Sequence, residues 1–157
     1  MFDGDPRDME EAPSVPMNLE AELGLLGALL FAPEALRTVA DRVTADDFAE
    51  PFHGRLYALI ASGEPCDPSV LHGRLTSDPA YSSFGGQPAL YDLIEKAPNP
   101  KLAPELALQV ADAAVRRRLI VLGQEAIQRA RSPDGTGYDA VAQTRAALEE
   151  AERGSAP

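Results

Sequence analysis

With 157 residues and a formal net charge of −11, the chain is long enough for one domain with one core, and it carries no general electrostatic attraction for phosphate backbones or anionic membrane surfaces. Direct tight binding to nucleic acid is therefore disfavoured. The apolar fraction is 45%, aromatic residues make up 6% and Trp is absent, a composition that favours helices over sheets.

The cellular location is expected to be the cytoplasm. A single cysteine, Cys66, leaves no internal disulfide, and acidic residues follow Met1 where a signal peptide would have a basic region and an apolar run. No apolar stretch approaches the ~20 residues that cross a bilayer.

The first segments in chain order are a tail and a helix. Residues 1–16 are acidic, contain three prolines and hold few large apolar groups, which predicts a disordered acidic tail. A helix then follows the N-cap Asn18, with Glu20 and Glu22 in its first turn. Its inward stripe is predicted from spacings of four, three and four at Leu19, Leu23, Leu26 and Leu30.

Two further helices are predicted before residue 63. One begins at Pro33, and a capping turn over residues 44–47 delivers Phe48 to the core. The next helix begins at Pro51. The side chains expected to face inward are Leu36, Val39, Val43, Phe52, Leu56, Leu59 and Ile60.

The remaining part of the predicted head contains two short helices. Asp67 and Pro68 predict an N-cap and first helical residue, Gly85 and Gly86 mark a loop, and a helix is predicted over residues 88–96. The expected inward residues are Val70, Leu71, Leu75, Leu90, Leu93 and Ile94. A proline-rich stretch over residues 98–104 ends this helical head, which is assigned to residues 17–100.

The C-terminal third predicts an antiparallel helical hairpin over residues 104–153. Residues 105–131 read as one helix of roughly 40 Å, and a proline and glycine turn over 132–137 precedes a second, weakly apolar helix. Because two helices leave one apolar edge uncovered, self-association as a dimer or contact with a partner is expected. The predicted interface residues are Leu108, Val115, Arg117, Arg118, Leu119, Leu122, Tyr138 and Leu148.

The chain holds no motif for catalysis. A phosphate-binding loop needs a lysine followed by Ser or Thr, but Lys96 precedes Ala97 and Lys101 precedes Leu102. No catalytic residue, cofactor, metal ligand or motor domain is therefore predicted. A zinc site would need ligands at short regular spacing, which His53, Cys66, Asp67 and His72 lack.

Other polar residues have simpler roles. His53 is expected to be a partly buried helix residue with one hydrogen bond, and Cys66 an inert thiol whose pKa is raised by the charge of Asp67. Asp46 and Asp47 are assigned to capping. Residues 116–118 are three arginines, which point ~100° apart on a helix, so an ion-paired or solvated role is favoured over nucleic-acid contact.

Several short motifs follow one another along the chain. They are Leu19 to Glu22 and Leu26 to Leu30 ("EAE…LGALL"), Asp47, Phe48, Pro51 and His53 ("DF…P.H"), Gly63, Pro65, Asp67 and Leu71, Gly85, Gly86 and Leu90 ("GG..YL"), and Arg117 to Ile120 ("RR.LI"). In this order they resemble the N-terminal domain of the bacterial replicative (DnaB-like) helicase family over roughly residues 16–130. The sequence departs from the family pattern at Leu23, at Tyr91 and in the prolines of residues 100–104.

The resemblance implies an all-α protein with a globular head and a hairpin that assembles rings and engages primase or a loader, in a family where an ATP-dependent motor normally follows. Three functional hypotheses stay open. The chain is a helicase fragment or a short paralogue that regulates the helicase; it mimics the helicase-binding domain of primase and binds the helicase; or it is a small metal-dependent or nucleotide-using enzyme on a helical scaffold.

Overall fold

The structure is a computed structural model that describes residues 15–153. Within that range the chain forms helices and turns and no β-strand, which confirms the predicted all-α fold. Of the acidic tail predicted over residues 1–16, residues 1–14 lie outside the described residues. The α-helices are α1 (Leu19–Phe31), α2 (Pro51–Ala61), α3 (Pro68–Leu75), α4 (Pro79–Phe84), α5 (Gly86–Glu95), α6 (Ala103–Arg131) and α7 (Gly137–Arg153), with 3-10 turns at Pro33–Thr38, Ala45–Asp47 and Pro100–Leu102.

Helix α1 lies at the centre of the head and packs against α2, α5 and α6. The Asn18 side chain accepts a hydrogen bond from the Ala21 amide at 2.9 Å, as an N-cap does. The predicted inward stripe is only half right. Leu26 and Leu30 are buried, whereas Leu19 and Leu23 are 41% and 37% exposed. Apolar residues surround this helix, so their spacing alone did not identify the buried face, which includes Ala21, Glu22, Leu25 and Leu29.

Two glycines allow the head elements to approach closely. A Cβ atom on Gly27 would lie 2.5 Å from the carbonyl oxygen of Leu93, so α1 and α5 meet with backbone against backbone. A Cβ atom on Gly54 would collide in the same way with the Ala45 carbonyl. Since neither backbone oxygen can move independently, both positions require glycine for steric reasons.

The head differs from the prediction in its shorter elements. The segment after Pro33 is a 3-10 turn, although Val39 and Val43 are buried as expected. Helix α4 was not predicted, and only Gly85, with a φ of 122°, separates it from α5. Val70 is exposed rather than inward. The buried face of α3 consists of Pro68, Leu71 and Leu75, at spacings of three and four, and Val70 lies outside this face.

Helix α6 is shared by the head and the hairpin. It has 29 residues and begins at Ala103, with Pro104 in its first turn, where proline needs no amide partner. Its first half is buried through small residues, which are Ala103, Ala107, Val110, Ala111, Ala113 and Ala114. Its second half leaves the head and packs against α7 after a short turn, which confirms the antiparallel hairpin. The domain boundaries at residues 100 and 104 stay a prediction.

Candidate protein-interaction site

The hairpin carries exposed apolar side chains along one side of both helices. On α6, Leu108, Val115 and Leu119 are between 37% and 56% exposed, and spacings of seven and four place them on one face. On α7 the corresponding residues are Tyr138, Val141 and Leu148, all more than 40% exposed. Six of the predicted interface residues are apolar, and five of those six are exposed.

The two hairpin helices cover each other only thinly. The α7 residues that pack against α6 are small, and no side chain of Gly137–Arg153 is buried. Leu122, the sixth apolar residue predicted for the interface, is half-buried. The half-buried side of α7 consists of Ala140, Thr144, Ala147 and Ala151, at spacings of four, three and four.

A shallow hollow of about 510 Å³ opens between the hairpin helices and is mainly apolar. Its walls include Ala126 and Ala130 of α6 and Val141 and Leu148 of α7. Four-helix bundles are built from two such pairs of antiparallel helices. The geometry therefore suits non-covalent packing of further helices against the hairpin.

Arg117 and Arg118 join the base of the hairpin to the head. Arg117 donates hydrogen bonds to the carbonyl oxygens of Pro16 at 3.0 Å and Asp47 at 2.7 Å. Arg118 donates to the Asp47 carboxylate, which is completely buried and also accepts from the Thr44 amide at 2.9 Å. Both arginines thus make their hydrogen bonds within this chain, and their place in an interface stays a prediction.

Arg116 differs from its two neighbours. It pairs with Asp112, one turn away on the exposed surface, at 2.8 Å. The ion-paired role predicted for the arginine cluster is therefore found for Arg116 and Arg118, although with very different burial. The predicted capping role of Asp47 is also found, since its carboxylate and Thr44 form a capping box.

A second buried charge, Glu22, ties α1 to the start of α2. Its carboxylate accepts hydrogen bonds from the amides of Ala49 and Glu50 and from His53 Nδ1, the last at 2.9 Å. Burial acts to raise the pKa of Glu22, but the bond from His53 and the two amides outweigh it and lower the pKa. Glu22 therefore holds the segment just before α2 against α1, a contact between residues 27 to 31 positions apart that the sequence did not reveal.

The predicted role of His53 is confirmed, since it is a nearly buried helix residue with one hydrogen bond. Cys66 is half-buried, and burial, rather than the charge of Asp67, raises the pKa of its thiol. Across residues 15–153 no three His, Cys, Asp or Glu side chains converge to hold a metal ion. None of the helices in this range is long and apolar enough to span a membrane.

Comparisons with known proteins agree with this architecture. The family model described as "DnaB-like helicase N terminal domain" matches residues 14–112. The crystal structure of the N-terminal domain of DnaB helicase from Mycobacterium tuberculosis superposes with a TM-score of 0.73 at 28% identity, covering 87% of this chain and 99% of that one.

Similar sequences bear the name replicative DNA helicase DnaB. The protein from Mycobacterium leprae is 32% identical over 117 residues, covering 72% of this chain and 19% of the relative. The protein from Leifsonia xyli subsp. xyli is 32% identical over 149 residues, covering 92% and 32% respectively. The chain thus spans between about a fifth and a third of the length of these relatives.

Proposed function

We propose, because this chain belongs to the family of DnaB-like helicase N-terminal domains, that it is an oligomerisation and protein-interaction domain acting in DNA replication. The exposed apolar face of the hairpin carries this proposal. In it, two hairpins pack together, and the assembled domain presents a surface to primase, a loader or the replicative helicase. Neither of its two lysines is followed by the Ser or Thr of a phosphate-binding loop, so we do not expect the chain itself to hydrolyse ATP.

The energetics favour a dimer only if most of the hairpin face is covered. Burial of roughly 300 Å² of apolar surface on each of two chains would contribute about 15 kcal/mol at ~25 cal/mol per Å². Association costs about 4–15 kcal/mol in lost translational and rotational freedom. A contact restricted to the tip of the hairpin, near Tyr138, would therefore be too small. The proposed interface includes Val141 and Leu148 of α7 together with Val115 and Leu119 of α6.

The alternative partner assignment is a chain that binds the helicase in the manner of a primase domain. The two assignments predict different complexes with purified proteins. Stable binding to primase supports the helicase-domain assignment, and stable binding to a complete replicative helicase without affinity for primase supports the alternative.

The dimer is tested by a charge on the hairpin face. Leu119 is 56% exposed and makes no core contact, so Leu119→Glu should give a monomer whose helical content is unchanged. Leu122 is a poorer choice, because it is half-buried between the hairpin helices. Light scattering coupled to size exclusion, at tens of micromolar chain, measures the mass.

Leu102→Glu is the matched control. Leu102 is similarly exposed, at 50%, but lies in the turn before α6, away from the hairpin face. The control should remain a dimer. A wild-type chain that is monomeric under these conditions contradicts the proposal, and so does loss of the dimer in both variants.

A further inference from the structure

A second apolar groove lies on the head, between the first turns of α1 and α2 and helix α4. Its volume is about 420 Å³. No residue of α6 or α7 lines it, so it is separate from the hairpin face. The lining residues are Leu19, Leu23, Glu50, Phe52, His53, Ala80, Ser83 and Phe84.

The apolar part of the groove is built on elements that pack into the core of the head. Leu19 and Leu23 are exposed one turn apart on α1, which is anchored in the core by the rest of its length. The facing wall is aromatic, with the Phe52 and Phe84 ring centroids 4.8 Å apart. Two leucines spaced by one turn beside an aromatic wall form the kind of groove that receives the apolar side of a helix.

The polar part of the groove includes His53, Ser83 and Glu50. The His53 ring is fixed in position by the Glu22 carboxylate, which lies 2.9 Å from Nδ1. His53 Nε2 has no hydrogen-bond partner among residues 15–153. Glu50 adds an exposed carboxylate that forms no salt bridge within the same range. Arg55 is the cation near Glu50, but its Nε atom is already paired with Asp78 Oδ2 at 2.6 Å.

We propose that this groove binds an amphipathic helix of a partner protein, which inserts leucine-type side chains between Leu23 and Phe84 and places a lysine or arginine against the exposed carboxylate of Glu50. Charge complementarity selects this occupant. The groove offers the Glu50 carboxylate to a cationic side chain, and the chain as a whole has a net charge of −11, which favours a basic partner. A second copy of the chain carries the same negative charge and is the less complementary occupant.

The test uses the full chain and a synthetic helical peptide of alanine, leucine and arginine, with two leucines spaced four apart and one arginine between them. Fluorescence anisotropy at physiological salt measures its affinity. Leu23→Glu should weaken binding at least tenfold, which is about 1.4 kcal/mol. The matched control is Phe31→Glu, at the other end of the same helix, where the side chain is 61% exposed.

The control makes the test stringent, because both variants add one negative charge that would attract a basic peptide. Binding by Phe31→Glu should equal that of the wild type, and amide shifts in the wild type should concentrate on the groove residues. Equal affinity of the two variants overturns the proposal, as general charge attraction would then explain the binding. Absence of binding to the wild type also overturns it. A change in oligomeric state with Leu23→Glu, but no change in peptide affinity, would identify a second copy as the occupant.

Discussion

Among single alanine substitutions of the three arginines at residues 116–118, Arg118→Ala should lower the free energy of unfolding the most. The reason lies in Asp47, whose carboxylate is completely buried and is neutralised by Arg118. After the substitution, the Thr44 amide still donates to this carboxylate. The negative charge, however, would remain in the head without its cation.

The magnitude follows from the burial of the two partners. Loss of one partner from a buried ion pair costs about 3–5 kcal/mol, and Arg118 is itself 29% exposed, so solvent screening lowers the expectation to roughly 2–4 kcal/mol. For a chain of this size, 1 kcal/mol shifts the melting temperature by about 2–4 °C. The melting temperature of Arg118→Ala should therefore fall by roughly 5–15 °C.

The control is the neighbouring arginine. Arg116 pairs with Asp112 on the surface, where both side chains are about two-thirds exposed, so Arg116→Ala should cost no more than about 0.5 kcal/mol. Urea unfolding at one fixed chain concentration measures both variants. Addition of Asp47→Asn to Arg118→Ala should recover part of the loss, because it removes the unpaired charge. Equal stabilities for the Arg118 and Arg116 variants would refute the reasoning.

Further predictions concern α1. Gly27→Ala should destabilise the fold by about 1–3 kcal/mol, because the new methyl group meets the Leu93 carbonyl. Gly24→Ala meets only side chains at ordinary distances and should stabilise the fold by up to about 1 kcal/mol. Thermal unfolding compares the two variants, and equal effects would contradict the close approach of the α1 and α5 backbones. Glu22 has a pKa lowered below 4.5, so its stabilising contribution is complete above that pH and is lost as the pH falls through the lowered pKa. Urea midpoints should therefore decline with acidification less steeply in Glu22→Gln than in the wild type, and parallel pH profiles would show that ionisation of Glu22 contributes nothing to stability.

Local sequence signals predicted the helices whose ends are chemically marked. Asn18 and Asp67 cap helices as expected, and residues 105–131 fall within one long helix. These features depend on neighbours within one turn, which a sequence displays directly. Helix α4 carries an equally good cap, Asp78 followed by Pro79, but its six residues are too few for a repeating apolar pattern.

The direction in which each helix faces could not be predicted as well. Leu19 and Leu23 have the spacing of core residues, yet they line the head groove, while Glu22 between them is buried. The difference arises from the amides of residues 49 and 50, which lie 27 and 28 positions along the chain. Arg118 and Asp47 are 71 residues apart. Periodicity carries no information on such distant pairs, so the site is predicted less completely than the fold.

The continuity of α6 also constrains how the hairpin could change length. Each residue added to an α-helix turns everything beyond it by about 100° and advances it by about 1.5 Å. One extra residue after Ala114 would therefore point Arg117 and Arg118 away from Asp47 and rotate the apolar face to a different side of the head. An insertion of seven residues would move the hairpin about 10 Å outward with almost the original rotational phase. Hairpins that keep the same facing direction should thus differ in length by near-whole numbers of helical turns.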